Sequence, residues 1–168
     1  MDEVIEQFVS AITDPDRASH TGLIAELFGA EYIGEGIDRC AYLLGDQVVK
    51  ISLYGDHQTQ LERWNYMNLT MEGHKRGEWA IPLMRFLETS AGLVSVCEYI
   101  SGETLDHERR WDRDLNAFNV MDCHGANVIK SLDGTYYIID LGYAHGYQEC
   151  VVNGHTPIND YDCDHGCC

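Results

Sequence analysis

The chain has 168 residues, of which 45% are hydrophobic and 23% charged, and its formal net charge is −17. Apart from the charge, these values are ordinary for a globular protein and predict one domain with a buried core. The acidity argues against non-specific binding to nucleic acid, whose phosphates would be repelled. It suits a basic protein partner, mimicry of nucleic-acid charge, or a role in solubility alone.

The chain is expected to act in the cytoplasm, without a membrane partner. No apolar run approaches the roughly 20 residues that span a bilayer, and the first residues, MDEVIEQFVS, lack the basic start and apolar centre of a signal peptide. The seven cysteines, an odd number, are therefore expected to be reduced thiols. Nothing in the sequence predicts the oligomeric state.

Two helices are predicted first, over 2–12 and 20–30, from apolar residues at helical spacing. The positions expected to be buried are Val4, Ile5, Phe8, Val9 and Ile12, followed by Leu23, Ile24, Leu27 and Phe28. The period then changes, and glycines divide the next stretch into three predicted strands, 31–36, 40–45 and 47–53.

A third helix is predicted over 57–71, with Leu61, Trp64, Met67 and Asn68 on one face. Later elements are predicted strands at 81–88 and 93–100, a helix at about 103–117, and short strands at 127–131 and 135–140 around an Asp-Gly turn. This order indicates an α+β fold with an antiparallel sheet.

Glycines and a lysine in the three-strand region are candidate phosphate ligands. In Gly34-Glu35-Gly36, glycine lets backbone N–H groups approach phosphates closely. The third glycine of such a loop is replaced by Arg39, so a plain hairpin turn is the alternative. Lys50 lies among β-branched residues, where a buried ammonium needs partners such as phosphates and a carboxylate. Glu62 is the first candidate carboxylate, and an edge-strand lysine in solvent is the alternative.

Polar residues near the C-terminal strands are candidates for catalysis and metal binding. Asp122 could accept a hydroxyl proton, and Asn127 offers an amide oxygen to Mg²⁺. Asp140 ends an apolar strand and precedes Leu141-Gly142, a position that suits a metal ligand. A hairpin between Asn127 and Asp140 would bring both to one edge, where they could hold the same metal ions. Tight Asx or Asp-x-Gly turns are the alternatives.

The segment Asp122–Asn127 (DCHGAN), together with Asp140-Leu141-Gly142, resembles the catalytic loop and metal-binding triplet of the protein kinase superfamily. Its D-x-H-G-x-N form is similar to the branch of aminoglycoside phosphotransferases and atypical kinases. The stretch NVMDCHGANVIKSLDGTYYIIDLG also resembles the small serine/threonine kinases encoded by lytic bacteriophages, which phosphorylate host proteins. The resemblance covers roughly residues 31–144.

The resemblance implies ATP and Mg²⁺ as cofactors and gives each candidate residue a role. Lys50 would hold the α- and β-phosphates and pair with Glu62, and Asp122 would be the catalytic base. Asn127 and Asp140 would bind magnesium. The glycine loop with Gly34 and Gly36 would cover the phosphates, and Glu98-Tyr99-Ile100 would be the hinge whose backbone meets adenine.

The sequence departs from common kinases in three ways. Val120 stands where a histidine is usual, and only about 20 residues separate the hinge from Asp122. The chain has 28 residues after Asp140 and no Ala-Pro-Glu sequence. We therefore expect a minimal kinase-like fold, with an antiparallel N-lobe sheet and a strongly truncated C-lobe.

The expected organisation is an N-terminal helical segment (1–30), a kinase-like domain (31–144) and an acidic tail rich in Cys and His (145–168). The tail offers candidate ligands for a structural Zn²⁺, with a flexible tail as the alternative; they are His145, Cys150, His155, Cys163, His165, Cys167 and Cys168. The charged residues of the predicted helix 103–117 form either a solvated face or a surface that docks substrate.

The leading functional hypothesis is an ATP- and Mg-dependent serine/threonine protein kinase. It would be encoded by a phage and act on host proteins in the bacterial cytoplasm. One alternative is a catalytically inactive, acidic kinase-like module that binds and inhibits a basic surface of a host protein. Another is a small-molecule phosphotransferase with a cationic substrate.

Overall fold

The fold combines three α-helices with ten strands in the part of the chain that the computed structural model describes, residues 1–36, 38–105, 117, 118, 120 and 125–142. The helices are α1 (Asp2–Ile12), α2 (Thr21–Phe28) and α3 (His57–Leu69), and short 3₁₀ helices cover Pro15–His20 and Gly125–Asn127. The strands are β1 (Ala30–Glu35), β2 (Arg39–Leu44), β3 (Gln47–Ser52), β4 (Lys75–Arg76), β5 (Trp79–Ala80), β6 (Met84–Thr89), β7 (Gly92–Glu98), β8 (Gly102–Thr104), β9 (Val128–Ser131) and β10 (Tyr136–Ile138).

The first sheet has five antiparallel strands in the order β1-β2-β3-β7-β6, so β3 is its central strand. Its side chains alternate between two faces. Val49 and Ile51 join the apolar cluster under α1 and α2, whereas Val48 belongs to a second cluster on the opposite face. The α+β class and the antiparallel N-terminal sheet predicted from the sequence are confirmed.

The second sheet has the order β4-β5-β10-β9-β8, and it contains the parallel pair β5–β10 beside antiparallel pairs. The short strands β4 and β5 were not predicted from the sequence. Residues 102–104 form β8, so the helix predicted from 103 is wrong at its start. Gly102 makes this pairing possible, because a Cβ there would lie 2.3 Å from the Lys130 carbonyl oxygen. Residues 106–116 of that predicted helix lie outside the described residues.

Three predicted inward faces are corrected by the structure. Val4 on α1 is 41% exposed, and Leu23 and Leu27 on α2 are 60% and 84% exposed, because α2 packs through Ile24 and Ala25 instead. On α3 the expected apolar face also turns outward at two positions, which are Trp64 and Met67.

Among the described residues, no helix is long and apolar enough to cross a bilayer.

Candidate active site

A cavity of about 460 Å³ lies between the two sheets. Its walls come from β1, β2, β3 and the end of β7 on one side, and from residues around β9 and the end of β10 on the other. This volume falls within the range of roughly 300–1,000 Å³ that holds small ligands and cofactors. The residues singled out from the sequence that line it are Gly34, Gly36, Lys50, Glu98, Ile100, Asn127 and Asp140.

Lys50 lies at the inner wall of the cavity on the central strand β3 and is 8% exposed, so it is not an edge-strand lysine in solvent. Its Nζ lies 2.7 Å from Glu62 Oε1 and donates a hydrogen bond of 2.5 Å to the Ile139 carbonyl oxygen. Burial alone would lower the pKa of this ammonium, but the carboxylates of Glu62 and Asp140 outweigh it and raise the pKa. Lys50 is therefore a fixed cation.

Glu62 is fully buried on α3 and ties the helix to three strands of the first sheet, β2, β3 and β7. Its Oε1 accepts from Lys50, and its Oε2 accepts from Arg39 Nη1 at 2.5 Å and Ser95 Oγ at 2.6 Å. Burial alone would raise the pKa of this carboxyl, but the two cations outweigh it and hold the pKa below its usual value. Glu62 is thus the shared anion of two cationic side chains.

Asp140 lies two residues after the end of β10, the second strand of the β9–β10 hairpin. Its Oδ1 accepts hydrogen bonds from Arg39 Nη2 at 2.6 Å and from the Gly142 backbone N–H at 2.9 Å. Burial opposes ionisation of this carboxyl, but Arg39 and Lys50 hold its pKa at about 2. The side chain is 39% exposed, so it remains accessible from the cavity.

The Asp140–Gly142 segment is held against α3 by polar contacts. Asn65 Nδ2 donates to the Leu141 carbonyl oxygen at 2.6 Å. A Cβ on Gly142 would lie 3.0 Å from Gln58 Oε1 and 3.3 Å from Asp140 Oδ1, so glycine allows this close approach. Polar residues on the inward face of α3, beside Leu61 and Leu69, therefore position the segment that carries Asp140.

Asn127 and Asp140 lie on the same side of the cavity, as expected from the hairpin between them. The Ile139 N–H donates to the Asn127 carbonyl oxygen at 2.9 Å, which places the two segments side by side. Asn127 ends a 3₁₀ helix instead of beginning a strand as predicted. Asp122 lies outside the described residues.

The donor set of Asn127 and Asp140 fits a magnesium ion. A carboxylate and an amide are hard oxygen ligands, and Mg²⁺ is commonly held by one or two carboxylates together with phosphates and water. Within the described residues, no group of three or more His, Cys, Asp or Glu side chains could hold a metal by itself. The candidate zinc ligands of the tail, His145 to Cys168, lie outside the described residues.

The glycine loop forms the turn between β1 and β2 at the cavity. The Gly36 N–H donates to the Arg39 carbonyl oxygen at 2.8 Å, and the register between the strands shifts between Tyr32 and Gly34. Apart from the chain neighbours, no atom of the described residues lies within 4 Å of where a Cβ would stand on Gly34 or Gly36. The segment is thus a hydrogen-bonded hairpin turn that also leaves open space for a ligand.

The predicted hinge, residues 98–100, connects the end of β7 to β8. The Tyr99 N–H donates to the Asp46 carbonyl oxygen at 3.0 Å. The Glu98 side chain accepts from the Leu83 N–H at 2.9 Å, so its carboxylate serves the structure of the connection. Residues 97–100 all line the cavity, and their contact with adenine stays a prediction.

Arg39 is the site residue that the sequence analysis missed. It was noted only as a substitute for the third glycine, yet it is 8% exposed and bonds both Glu62 and Asp140. Burial opposes its charge, but the two carboxylates outweigh burial and raise the pKa of the guanidinium. The sequence does place this arginine at the start of the apolar strand RCAYLL. A charged side chain in such a strand needs partners, which is the argument that identifies Lys50.

We expect the Cys97 thiol to be alkylated slowly and to be protected by a ligand in the cavity. Burial raises the pKa of this thiol to about 11, so roughly one molecule in 10³ is a thiolate at pH 8. Iodoacetamide labelling, followed by peptide mass spectrometry, should be at least about 100-fold slower in the folded protein than in urea. Labelling should rise with pH and fall when ATP is added. Equal rates with and without urea would contradict this.

Neither a comparison with protein-family models nor one with curated proteins finds a match. Similar solved structures include the GDP complex of aminoglycoside 2′-phosphotransferase-IIIa, with a TM-score of 0.38 and 18% identity over 55% of this chain. The bifunctional kinase-methyltransferase WbdD has a TM-score of 0.42 and 17% identity over 63% of this chain. The streptomycin–ATP–APH(2″)-IIa ternary complex has a TM-score of 0.36 and 20% identity over 56% of this chain. By their names these neighbours are phosphotransferases and a kinase-methyltransferase, and the chain spans 33%, 30% and 31% of their lengths.

Proposed function

We propose that the chain binds ATP in the cavity between the two sheets and transfers its γ-phosphoryl group to a hydroxyl. The observation that carries this proposal is one set of contacts at the cavity wall. A buried lysine bonds a helix carboxylate, and Asp140 lies beside Asn127 at the opposite wall. Phosphoryl transfer depends on such positioning and charge, with little covalent chemistry by the protein.

Each side chain has a distinct task in this proposal. Lys50, held by Glu62, binds the α- and β-phosphates, and Asn127 and Asp140 would hold Mg²⁺. When bound, magnesium offsets the charge on the phosphate oxygens. Asp122 orients the acceptor hydroxyl and takes its proton. The bond from the γ-phosphorus to its bridging oxygen breaks, the bond to the acceptor oxygen forms, and ADP leaves.

We further propose that the acceptor is a serine or threonine of a host protein, and that the chain is encoded by a phage and acts in the host cytoplasm. The support is the resemblance of residues 119–142 to small phage kinases. A second acceptor class, a cationic small molecule, is favoured by the net charge of −17. The inactive acidic module remains the alternative if no transfer occurs.

ATP binding is tested by calorimetry on the wild type and on the variant Lys50→Met. We expect the variant to bind ATP at least about tenfold more weakly, because a charge-assisted phosphate contact contributes roughly 1.5–3 kcal/mol. Lys130→Met is the matched control, since Lys130 is exposed on β9 and away from the cavity wall. Wild-type protein that binds no ATP, with or without Mg²⁺, would rule the function out.

The acceptor is identified by incubating the protein and labelled ATP with a bacterial lysate or with an aminoglycoside. Label on serine or threonine of lysate proteins supports the protein kinase. Label on the aminoglycoside alone supports the small-molecule enzyme. ATP binding without transfer to either supports the inactive module.

A further inference from the structure

Arg39 gives the site a second fixed cation that the proposed phosphate transfer does not itself use. Its Nη1 bonds Glu62 and its Nη2 bonds Asp140, whereas Lys50 bonds Glu62 from the other oxygen. The four side chains carry two positive and two negative charges. These four side chains are therefore neutral as a group before any metal ion binds, although Glu35, Asp38 and Glu98 also line the cavity.

The geometry keeps Arg39 in place. The guanidinium is 8% exposed and makes charge-assisted bonds of 2.5 and 2.6 Å to carboxylates from two different elements. Leaving these partners would break the bonds to two carboxylates, of which Glu62 is fully buried, and this is strongly unfavourable. A guanidinium has five N–H donors in a planar fork, and the two carboxylates take one each.

Among the described residues, Glu62 and Asp140 are the bonded partners of the guanidinium, which leaves further donors for a ligand in the cavity. The residue lines the cavity together with Lys50 and Asp140. Planar guanidinium groups bind phosphate oxygens through paired N–H groups. By contrast, an Asp140 carboxylate without its arginine partner would repel the phosphates of a nucleoside triphosphate. Arg39 both removes that repulsion and offers an attractive contact.

We propose that Arg39 binds the nucleotide phosphates and neutralises Asp140, so that ATP binds in the absence of a divalent cation. This rests on the proposed function. In this arrangement magnesium promotes phosphate transfer, whereas the arginine and the lysine provide the affinity. Nucleotide binding and metal binding are therefore separable in this chain.

The test is the dissociation constant of ATP, measured by calorimetry in EDTA and again in excess Mg²⁺. For the wild type we expect the two values to agree within about threefold. For Arg39→Ala we expect ATP to bind at least about tenfold more weakly in EDTA, the size of one charge-assisted contact. In excess Mg²⁺ the loss should shrink to about threefold, because the metal ion neutralises the exposed Asp140.

Two further variants separate charge from structure. Arg39→Lys keeps a cation and should retain most of the affinity in EDTA. Arg39→Ala/Asp140→Asn removes both charges and should bind ATP in EDTA more tightly than Arg39→Ala alone. Thermal unfolding of each variant identifies any that fails to fold. If Arg39→Ala does not fold, the ATP affinity of the conservative variant Arg39→Lys is compared with that of the wild type.

Three outcomes overturn the proposal. Tighter ATP binding by Arg39→Ala in EDTA would mean that the arginine obstructs the site. An equal loss in EDTA and in Mg²⁺ would mean that Arg39 does not act by neutralising Asp140. A wild-type dissociation constant for ATP that differs by more than about tenfold between EDTA and Mg²⁺ would contradict this proposal, although ATP binding itself would stand. Absence of wild-type ATP binding in both conditions would instead remove the proposed function as well.

Discussion

Asp140→Asn is expected to reduce phosphate transfer by about 10³-fold while leaving the fold intact. Magnesium supplies several kcal/mol of transition-state charge stabilisation, and each 1.4 kcal/mol or so is tenfold in rate. The asparagine oxygen can still accept the hydrogen bonds that Asp140 Oδ1 accepts from Arg39 and from the Gly142 N–H. The measurement is the initial rate of label transfer from ATP, together with thermal unfolding.

The matched control is Asp133→Asn in the β9–β10 turn. Asp133 bonds Ser131 Oγ and the Thr135 N–H, and it does not line the cavity. The control should transfer phosphate at the wild-type rate. If Asp140→Asn retained more than a tenth of wild-type activity, Asp140 would not be the metal ligand of the reaction.

Glu62→Ala is expected to lower the free energy of unfolding by about 3–5 kcal/mol, the usual effect of breaking a buried ion pair from one side. The carboxylate is fully buried and accepts hydrogen bonds from Arg39, Lys50 and Ser95. Its removal leaves two largely buried cations with a single remaining carboxylate, Asp140. Urea unfolding, followed by circular dichroism, measures the change.

Glu72→Ala is the control for this loss. The Glu72 carboxylate lies 3.7 Å from Arg76 Nη2, and its side chain is 85% exposed, so its removal should change stability by less than about 0.5 kcal/mol. Similar losses in the two variants would show that the Glu62 network does not stabilise the fold. Unfolding of Glu62→Ala without denaturant would exceed the expected effect, and Glu62→Gln would then measure the charge alone.

The first sheet was largely predictable because its strands combine a clear alternation with glycine turns. Predicted strands 40–45 and 47–53 correspond to β2 and β3, and both sit in the sheet in the expected antiparallel order. Lys50 stood out since a charged residue within such a strand requires partners. At Lys50, the strand pattern and the requirement of a buried charge for partners identify the same residue.

Helix α3 shows why the inward faces were harder to predict. Apolar spacing favoured a face through Trp64 and Met67, but the helix buries Gln58, Glu62 and Asn65. These polar residues bond or approach groups of the site instead of an apolar core. Hydrophobic periodicity fails where a helix positions charged groups.

The second sheet and Arg39 depend on distant parts of the chain. The two-residue strands β4 and β5 carry too little pattern to identify, and β5 pairs with β10 more than 50 residues later. Arg39 and Asp140 are 101 positions apart. A single sequence shows neither pairing, because only the folded chain brings such residues together.

The sequence separation of the contacts around the cavity also leads us to expect an order of folding. The first sheet contains only residues 30–98, and the Lys50–Glu62 contact spans 12 positions, so both can form while the rest of the chain is still unfolded. The contacts from Arg39 to Asp140 and from Lys50 to Ile139 span 101 and 89 positions, and such distant closures come late. We therefore expect the cavity to be completed late in folding, when Asp140 reaches Arg39 across 101 positions of the chain.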